Sequence, residues 1–225
     1  MSREAFYERV RAATASGRQY RVHTREVPPE AGYIGAGDDP IAWMAREVNE
    51  VGGTSYIAAD NGEARRILGE LLERYGCRTA LCWQHEVLDR VGLGELLAER
   101  SVERLSYDSL AQLEPAPRRE QLMVADIGIS SVWYAVAETG TLAVTSSPGT
   151  ERVASLLPPV HIAVVAAEQV LPDLFDLFAR LGEVGWDNLP SNLTLITGPS
   201  KTGDIELTLT TGVHGPGQWH VVLIR

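Results

Sequence analysis

The chain has 225 residues, a length typical of one domain with a full hydrophobic core. Its net charge of −10 argues against nucleic acid or an anionic membrane surface as the main partner, although a cationic cofactor or a basic protein would suit it. No apolar run approaches the roughly 18 residues that span a bilayer, and the first residues lack the apolar core of a signal peptide. We therefore expect a cytoplasmic protein.

Helical and strand patterns alternate along most of the chain. The predicted helices are residues 2–15, 40–51, 61–76, 85–98 (with a glycine interruption), 118–125, 150–156 and 168–181. The predicted strands are residues 54–59, 78–83, 102–105, 132–137, 141–145, 160–165, 193–197 and 219–224. Residues 202–211 fit a short helix or a strand, and we favour the helix. This alternation predicts a largely parallel sheet covered on both faces. We expect residues 1–36 to form an N-terminal helix with an irregular lead-in, and residues 37–225 to form one α/β domain.

The two cysteines, Cys77 and Cys82, lie five positions apart within a predicted buried strand. An odd spacing sends side chains to opposite faces of a strand, so we expect two free thiols and no disulfide. Neither a CxxC redox motif nor iron–sulfur spacing is present. The chain is therefore not expected to hold an iron–sulfur cluster by itself.

The most distinctive segment is Thr197–Glu206 together with Gly212–Pro216. It places two carboxylates, Asp204 and Glu206, and the imidazole of His214 among glycines, prolines and hydroxyls. Glycine and proline set the backbone conformation at several points in this segment, which is unlike an ordinary loop. These three side chains are candidate catalytic groups. A zinc site that includes them is conceivable, but no HExxH-type pattern or cysteine pair supports one, and no metal is predicted.

Lys201 is the only lysine of the chain. It either reflects an arginine-rich composition or provides the cation of an anion site. In the second case Gly198 would contribute backbone amides, and the hydroxyls of Ser200 and Thr202 would complete the site. Alternatively, Ser200 or Thr202 caps the predicted helix.

Glu138 is the only charged residue in the interval 127–150, and apolar residues flank it on both sides. Thr139, Gly140 and Thr141 follow it in a predicted hairpin turn. The carboxylate is either satisfied by backbone amides of this turn, or it is an acid that acts on or binds a polar substrate. In the second reading Glu138 is catalytic and the three turn residues bind the substrate.

Four motifs, at Ala137–Leu142, Leu157–Ile162, Gly198–Glu206 and Gly212–Pro216, resemble the LUD-domain family, whose best-known members are the lactate-utilisation protein C class. The motifs occur in the family's order in the second half of the chain, and the first half resembles the family only in its layout. Gly203 is a departure, since alanine is expected there more often.

The resemblance implies the open three-layer, mostly parallel sheet of ribose-5-phosphate isomerase, glucosamine-phosphate deaminase and the CoA transferases. Ligands of open α/β sheets bind at the carboxyl ends of the strands. We expect the loops after Val136, Val144 and Thr197 to occupy that position.

Two functions follow from these expectations. The family resemblance implies a component of L-lactate oxidation to pyruvate that acts beside iron–sulfur partner proteins. The fold resemblance alone implies a stand-alone isomerase-like or CoA-transferase-like enzyme for a small phosphorylated or carboxylate substrate. The sequence leaves the cofactor unknown and does not decide whether this chain is catalytic. His161 opens a predicted strand and either faces a cleft or packs in the core, whereas His220 is expected to pack.

Overall fold

The computed structural model of the chain describes residues 2–17, 35–185, 188–190, 192–203 and 209–225. By its internal contacts the chain divides into two compact units, residues 1–33 and 34–225. The first unit contains helix α1 (Arg3–Gly17), whose side chains are mostly exposed. The second unit contains the sheets. No helix of the described residues is long and apolar enough to cross a membrane.

Alternating helices and strands form the second unit, as the sequence predicts. The helices that follow α1 are α2 (Pro40–Glu50), α3 (Asn61–Arg74), α4 (Glu86–Arg90), α5 (Leu93–Glu99), α6 (Tyr107–Ala111), α7 (Pro115–Met123), α8 (Val153–Leu156) and α9 (Leu174–Val184). The strands are β1 (Thr54–Ala58), β2 (Thr79–Cys82), β3 (Glu103–Leu105), β4 (Ile127–Ser130), β5 (Tyr134–Val136), β6 (Thr141–Thr145), β7 (Val160–Ala166), β8 (Val170–Leu171), β9 (Leu193–Ile196), β10 (Lys201–Gly203), β11 (Leu209–Thr211) and β12 (Gln218–Ile224). Two 3-10 turns cover Ala137–Thr139 and Ala167–Gln169.

The central sheet has six strands in the order β1-β12-β7-β4-β2-β3, and every neighbouring pair is parallel. Strands β4, β7 and β12 in its middle are buried along nearly their whole length, and β7 and β12 are accordingly rich in apolar residues. The predicted mostly parallel α/β fold is confirmed.

Helices cover both faces of this sheet. Ser55 of β1 is in register with Val221 of β12, and its hydroxyl donates a hydrogen bond of 2.9 Å to the carbonyl of Ala45 in α2. On the opposite face, Tyr75 at the end of α3 lies 2.7 Å from the Nε2 atom of His220. Side chains alternate between the faces along a strand, so α2 and α3 lie on different sides of the sheet.

The second sheet has four strands in the order β8-β5-β6-β9, in which β5 and β6 form the predicted antiparallel hairpin. One face of this sheet contributes to the main hydrophobic core through Ala135, Leu142 and Val144. The other face forms a smaller core with α9, made of Val136, Ala143, Leu171, Leu177 and Leu181. The hairpin is therefore held between two apolar layers.

Helix α6 and strand β8 are not among the predicted elements, and three further features differ from the sequence predictions. The predicted helix 168–181 begins only at Leu174, because Pro172 lacks an amide hydrogen and Asp173 caps the helix through the amide of Asp176. The favoured helix within 202–211 is wrong at both described ends, where β10 and β11 pair as antiparallel strands. The threonines in this segment are β-branched and favour a strand. Asp204 to Thr208 lie outside the described residues.

The third difference is strand β4, which the sequence pattern does not predict although it lies in the middle of the central sheet. Its residue Gly128 interrupts the apolar pattern, and glycine is weak in strands. A Cβ atom at this position would lie 1.7 Å from the carbonyl oxygen of Ala154 in α8, so only glycine permits the approach of that helix. The close packing of α8 explains why a poor strand residue occupies a central strand.

Candidate functional site

The hairpin turn of the second sheet rests on helix α2. Gly140 has a φ of +62°, and a Cβ atom added there would lie 2.8 Å from the carbonyl carbon of Glu47 and from the nitrogen of Val48. Only glycine fits both this left-handed conformation and this contact without strain. The turn with Glu138, Thr139 and Gly140 is therefore fixed against the last turns of α2.

The loop after β9 reaches the same end of α2. Gly198 has a φ of +96°, and a Cβ atom added there would lie 2.8 Å from the carbonyl oxygen of Val51. Lys201 Nζ donates a hydrogen bond of 2.5 Å to that same oxygen. A lysine at the C-terminus of a helix satisfies a free carbonyl and interacts favourably with the helix dipole. The single lysine of the chain thus has a structural partner, and the other two donors of its ammonium make no hydrogen bond to the residues that the structure describes.

A line of threonine hydroxyls joins these two loops. The Oγ1 atom of Thr141 lies 2.7 Å from that of Thr139 and 2.7 Å from that of Thr197. Thr141 and Thr197 follow the antiparallel register of β6 and β9, in which the neighbouring residues Leu142 and Ile196 are opposite each other. The turn residues and the Gly198 loop therefore form one continuous polar surface.

Glu138 is half-buried at the start of this surface. Its backbone amide donates a hydrogen bond of 3.0 Å to the carbonyl of Pro172, which fixes the turn. The carboxylate itself makes no hydrogen bond or salt bridge with any residue that the structure describes. It is consequently available to a polar ligand at this point of the surface.

The loop that carries His214 packs against Ser200. The amide of Ser200 donates to the carbonyl of Pro216, and the amide of Gly212 donates to the carbonyl of Ser200, both at 2.9 Å. The side chain of His214 is exposed. Ser200 caps no helix here, because the residues after it form a strand. The histidine loop and the lysine loop are therefore held together by the backbone.

The structure describes only some of the remaining predicted site residues. Thr202 is half-buried in β10. Asp204 and Glu206 lie outside the described residues, so the predicted group of acids around His214 stays a prediction. Within the described ranges, no three His, Cys, Asp or Glu side chains are arranged to hold a metal ion.

The hairpin turn with Glu138 and the loop after Thr197, together called the motif loops, lie at the amino ends of three neighbouring strands of the central sheet. Gly53 precedes β1, and the amides of Gly217 and Gln218 at the start of β12 donate to the carbonyl of Pro159, which precedes β7. The prediction that the loops after Val136 and Thr197 lie at the carboxyl ends of the parallel strands is therefore wrong. Both loops follow strands of the second sheet, whose direction the sequence pattern does not reveal.

Two histidines are buried and neutral. His161 is fully buried on β7, where its Nε2 atom lies 2.8 Å from the Ser130 hydroxyl, and burial lowers its pKa to about 3. Burial also lowers the pKa of His220 to about 4, and this ring contacts Tyr75 and Tyr56. Loss of water disfavours the charged imidazolium. His161 therefore packs in the core rather than facing a cleft, and the predicted packing role of His220 is confirmed.

Sequence reasoning missed a cleft of about 760 Å³ at the carboxyl end of β2. We call it the carboxyl-end cleft. It is lined by Leu81, Cys82, Trp83, Tyr107, Leu110, Ala111, Arg118, Leu122, Ser146, Ser147, Pro148, Glu151, Arg152, Val153, Ala154 and Asn192. The loop after Val144 lies here, as predicted. The other wall residues come from separate segments of the chain that share no motif. The expected position of this loop was therefore the only feature of the sequence that pointed to the cleft.

Comparison with known proteins places these features in a family. The model of the LUD domain matches residues 41–224. The chain belongs to the LUD-domain family. Two relatives, each called Lactate utilization protein C, are similar over most of their length. The one from Shouchella clausii is 31% identical over 80% of this chain and 77% of its own, and the one from Exiguobacterium is 28% identical over 100% and 96%.

A solved structure supports the fold of this LUD-domain protein. The crystal structure of a DUF162 family protein from Deinococcus radiodurans aligns with a TM-score of 0.56, at 18% identity, and covers 83% of this chain and 96% of that one. At this level of identity the likeness concerns the fold alone.

Proposed function

We propose that this protein is a component of an L-lactate utilisation system, in which L-lactate is oxidised to pyruvate together with partner proteins that carry iron–sulfur clusters. The observation that carries the proposal is similarity over most of the chain to relatives named Lactate utilization protein C. The chain has only two cysteines, whereas iron–sulfur clusters are held by four. Electron transfer is therefore assigned to the partners.

In this proposal the substrate binds at the motif loops beside α2. The unpartnered carboxylate of Glu138 accepts a hydrogen bond from the substrate hydroxyl, and Thr139, Gly140 and Thr141 shape the surface next to it. Lys201 uses the donors not engaged with Val51 to bind the substrate carboxylate. The amides after Gly198 and the hydroxyl of Ser200 support the same anion.

The first experiment is growth on L-lactate after deletion of the gene. The wild-type gene should restore growth, and a Glu138→Gln variant should not, because the amide cannot accept the substrate hydroxyl in the same way or hold a proton. The melting temperature should change by only a few degrees, since the carboxylate has no partner to lose. Glu120→Gln, at an exposed position of α7, is the matched control and should restore growth. Full growth with Glu138→Gln would remove this residue from the proposed site.

The second experiment tests the partners. Affinity purification of the protein from cells grown on lactate should recover proteins with iron–sulfur absorption. If the protein purifies without any partner and converts a sugar phosphate or a CoA ester by itself, the alternative of a stand-alone isomerase-like or transferase-like enzyme replaces the proposal.

A further inference from the structure

We propose that the carboxyl-end cleft is a second ligand site, which binds an organic anion with a flat apolar body and one carboxylate or phosphate group. Open α/β sheets bind ligands near the carboxyl ends of their strands, and this cleft includes the carboxyl end of β2 in its wall. Its volume of about 760 Å³ falls in the range of sites for cofactor-sized or drug-sized molecules. A three-carbon acid would leave most of it empty.

Two arginines give the cleft its cationic character. The guanidinium of Arg118 donates to the carbonyls of Leu113 and Ala111, at 2.8 and 3.4 Å, while its buried Nε atom has no partner among the described residues. This side chain is therefore held in place by the backbone and keeps an unsatisfied donor. The guanidinium therefore places a fixed positive charge in the cleft wall, which favours an anionic group on the ligand.

Arg152 stands at the exposed part of the cleft wall. Its guanidinium forms no hydrogen bond or salt bridge within the described part of the chain. The single acid of the wall, Glu151, accepts a hydrogen bond of 2.8 Å from the amide of Gly149 and so is already engaged. Two cations against one engaged carboxylate favour an anionic group, and arginine binds carboxylate and phosphate in a bidentate manner.

The rest of the wall is apolar and rigid. The indole of Trp83 donates a hydrogen bond of 2.9 Å to the carbonyl of Glu151, so the ring is fixed as part of the cleft wall. Leu110 and Leu122 continue this apolar wall, and Tyr107 adds a partly exposed ring. The exposed ring of Tyr107 can stack on a flat apolar body, whereas the buried ring of Trp83 supports the wall behind it. The Cys82 thiol is protonated, since burial raises its pKa to about 12, so the cleft binds its ligand without a covalent bond.

The cleft is separate from the site proposed for lactate. Its wall includes the carboxyl end of β2, whereas the motif loops lie at the amino ends of β1, β7 and β12. No residue is shared between the cleft wall and the motif loops. Failure of either proposal would leave the other intact.

Calorimetric titration of three probes with one common body tests the proposal. The probes are 2-naphthoate, 2-naphthyl phosphate and the uncharged 2-naphthamide. At least one anionic probe should bind about tenfold or more tightly than the amide, and the preferred anion identifies the class of group. Equal affinity for the charged and uncharged probes, or no binding by any of them, would overturn the proposal.

Three variants locate the binding. Arg152→Gln should weaken the anionic probe by about tenfold to a hundredfold and leave the amide unchanged. Arg118→Gln should weaken it similarly, but this variant also removes the contacts to Ala111 and Leu113, so its melting temperature is measured in parallel. Arg119→Gln is the matched control, because this arginine is exposed, adjacent in sequence and not part of the cleft wall. Equal effects of Arg119→Gln and Arg152→Gln would mean that only general charge attracts the probe, and the site would be withdrawn.

Discussion

Lys201 joins two parts of the chain that are 150 residues apart in sequence. Its ammonium satisfies a carbonyl at the end of α2, and the same group is proposed to bind the substrate carboxylate. A substitution that removes the ammonium separates these two roles. If Lys201 only caps α2, anion binding is unchanged, and if it also binds the substrate carboxylate, anion binding is weakened.

Lys201→Met removes the charge and keeps the length of the side chain. We expect the free energy of unfolding to fall by about 1 kcal/mol or less, since the lost bond is exposed to solvent. Calorimetric titration of lactate, pyruvate and phosphate should show a loss of affinity of about tenfold to a hundredfold, as expected for a charge-assisted hydrogen bond. Lys201→Arg keeps the charge and serves as the control. Unchanged anion binding in the methionine variant would leave Lys201 with the capping role alone.

The buried histidines make stability depend on pH. The pKa values of His161 and His220 are lowered to about 3 and about 4, below the 6.5 of the unfolded chain. The unfolded state therefore binds more protons between these values, so stability is present above pH 6.5 and is lost as pH falls toward 4. Linkage gives about 2 kcal/mol per histidine lost between pH 7 and pH 5.

Urea unfolding at several pH values checks this expectation. The slope of the unfolding free energy against pH reports how many more protons the unfolded state binds than the folded state. In the acidic range this number should be smaller in His161→Asn than in the wild type by up to one proton. NMR titration of the ring signals gives the two native pKa values directly. Titration of both rings near pH 6.5 in the folded protein would contradict the prediction.

At the scale of elements, the contact between the hairpin turn and α2 orients the proposed site. A left-handed residue without a side chain is required at Gly140, both for the turn and for the approach of the Glu47–Val48 backbone. The second sheet can place Glu138 beside α2 only while this contact is intact.

Gly140→Ala should therefore destabilise the protein by more than a left-handed alanine alone, which costs about 1–2 kcal/mol. Gly76→Ala measures that cost by itself, because Gly76 has a φ of +57° and open space around it. Gly203→Ala should be neutral, since no atom of the described residues lies within 4 Å and φ is not left-handed. Denaturant unfolding of the three variants separates the steric contribution. An equal loss of unfolding free energy in Gly140→Ala and Gly76→Ala would mean that the contact between the turn and α2 adds no steric cost.

For the molecule as a whole, the central sheet protects Cys82. Its side chain is 2% exposed, and burial raises its pKa to about 12, so almost no thiolate is present at pH 8. The half-buried Cys77 has an equally raised pKa, for the same reason.

Labelling with a thiol reagent should therefore be slow in the native protein, and the rate at Cys82 should follow global unfolding as urea increases. Mass spectrometry after digestion assigns the label to each cysteine. Rapid labelling of Cys82 without urea would show that the sheet opens locally at β2.

The sequence predicts an element correctly where the residues within that segment are enough to determine its structure. The periodic apolar face of α3 and the glycine after it predict its bounds within two residues, although the side chain that caps it is Asp60, which accepts from the amide of Glu63, and not the expected Asn61. The break at Gly92 between α4 and α5 is predicted because glycine interrupts a helical pattern. The four family motifs likewise indicate which loops carry the polar groups of the candidate site, because each motif is contained within a few consecutive residues.

Other features were decided by partners that are distant in sequence. Gly128 lies in a central strand because α8 packs on it, and β10 is a strand because β11 pairs with it. Local propensity does not indicate either contact. A strand is stabilised by pairing with its neighbours, and the need for glycine at position 128 depends on the close approach of α8.

The sequence by itself therefore determined the alternation of helices and strands, the family and the loops that carry polar groups. Only the tertiary structure decided the strand order β1-β12-β7-β4-β2-β3, and with it the end of the sheet at which each loop lies. The physical reason is that pattern and capping act within a few residues, whereas sheet order arises from pairing between strands up to about 170 positions apart, such as Thr54 and His220. The position of Glu138 beside α2 and the arginine-lined cleft both result from that long-range pairing.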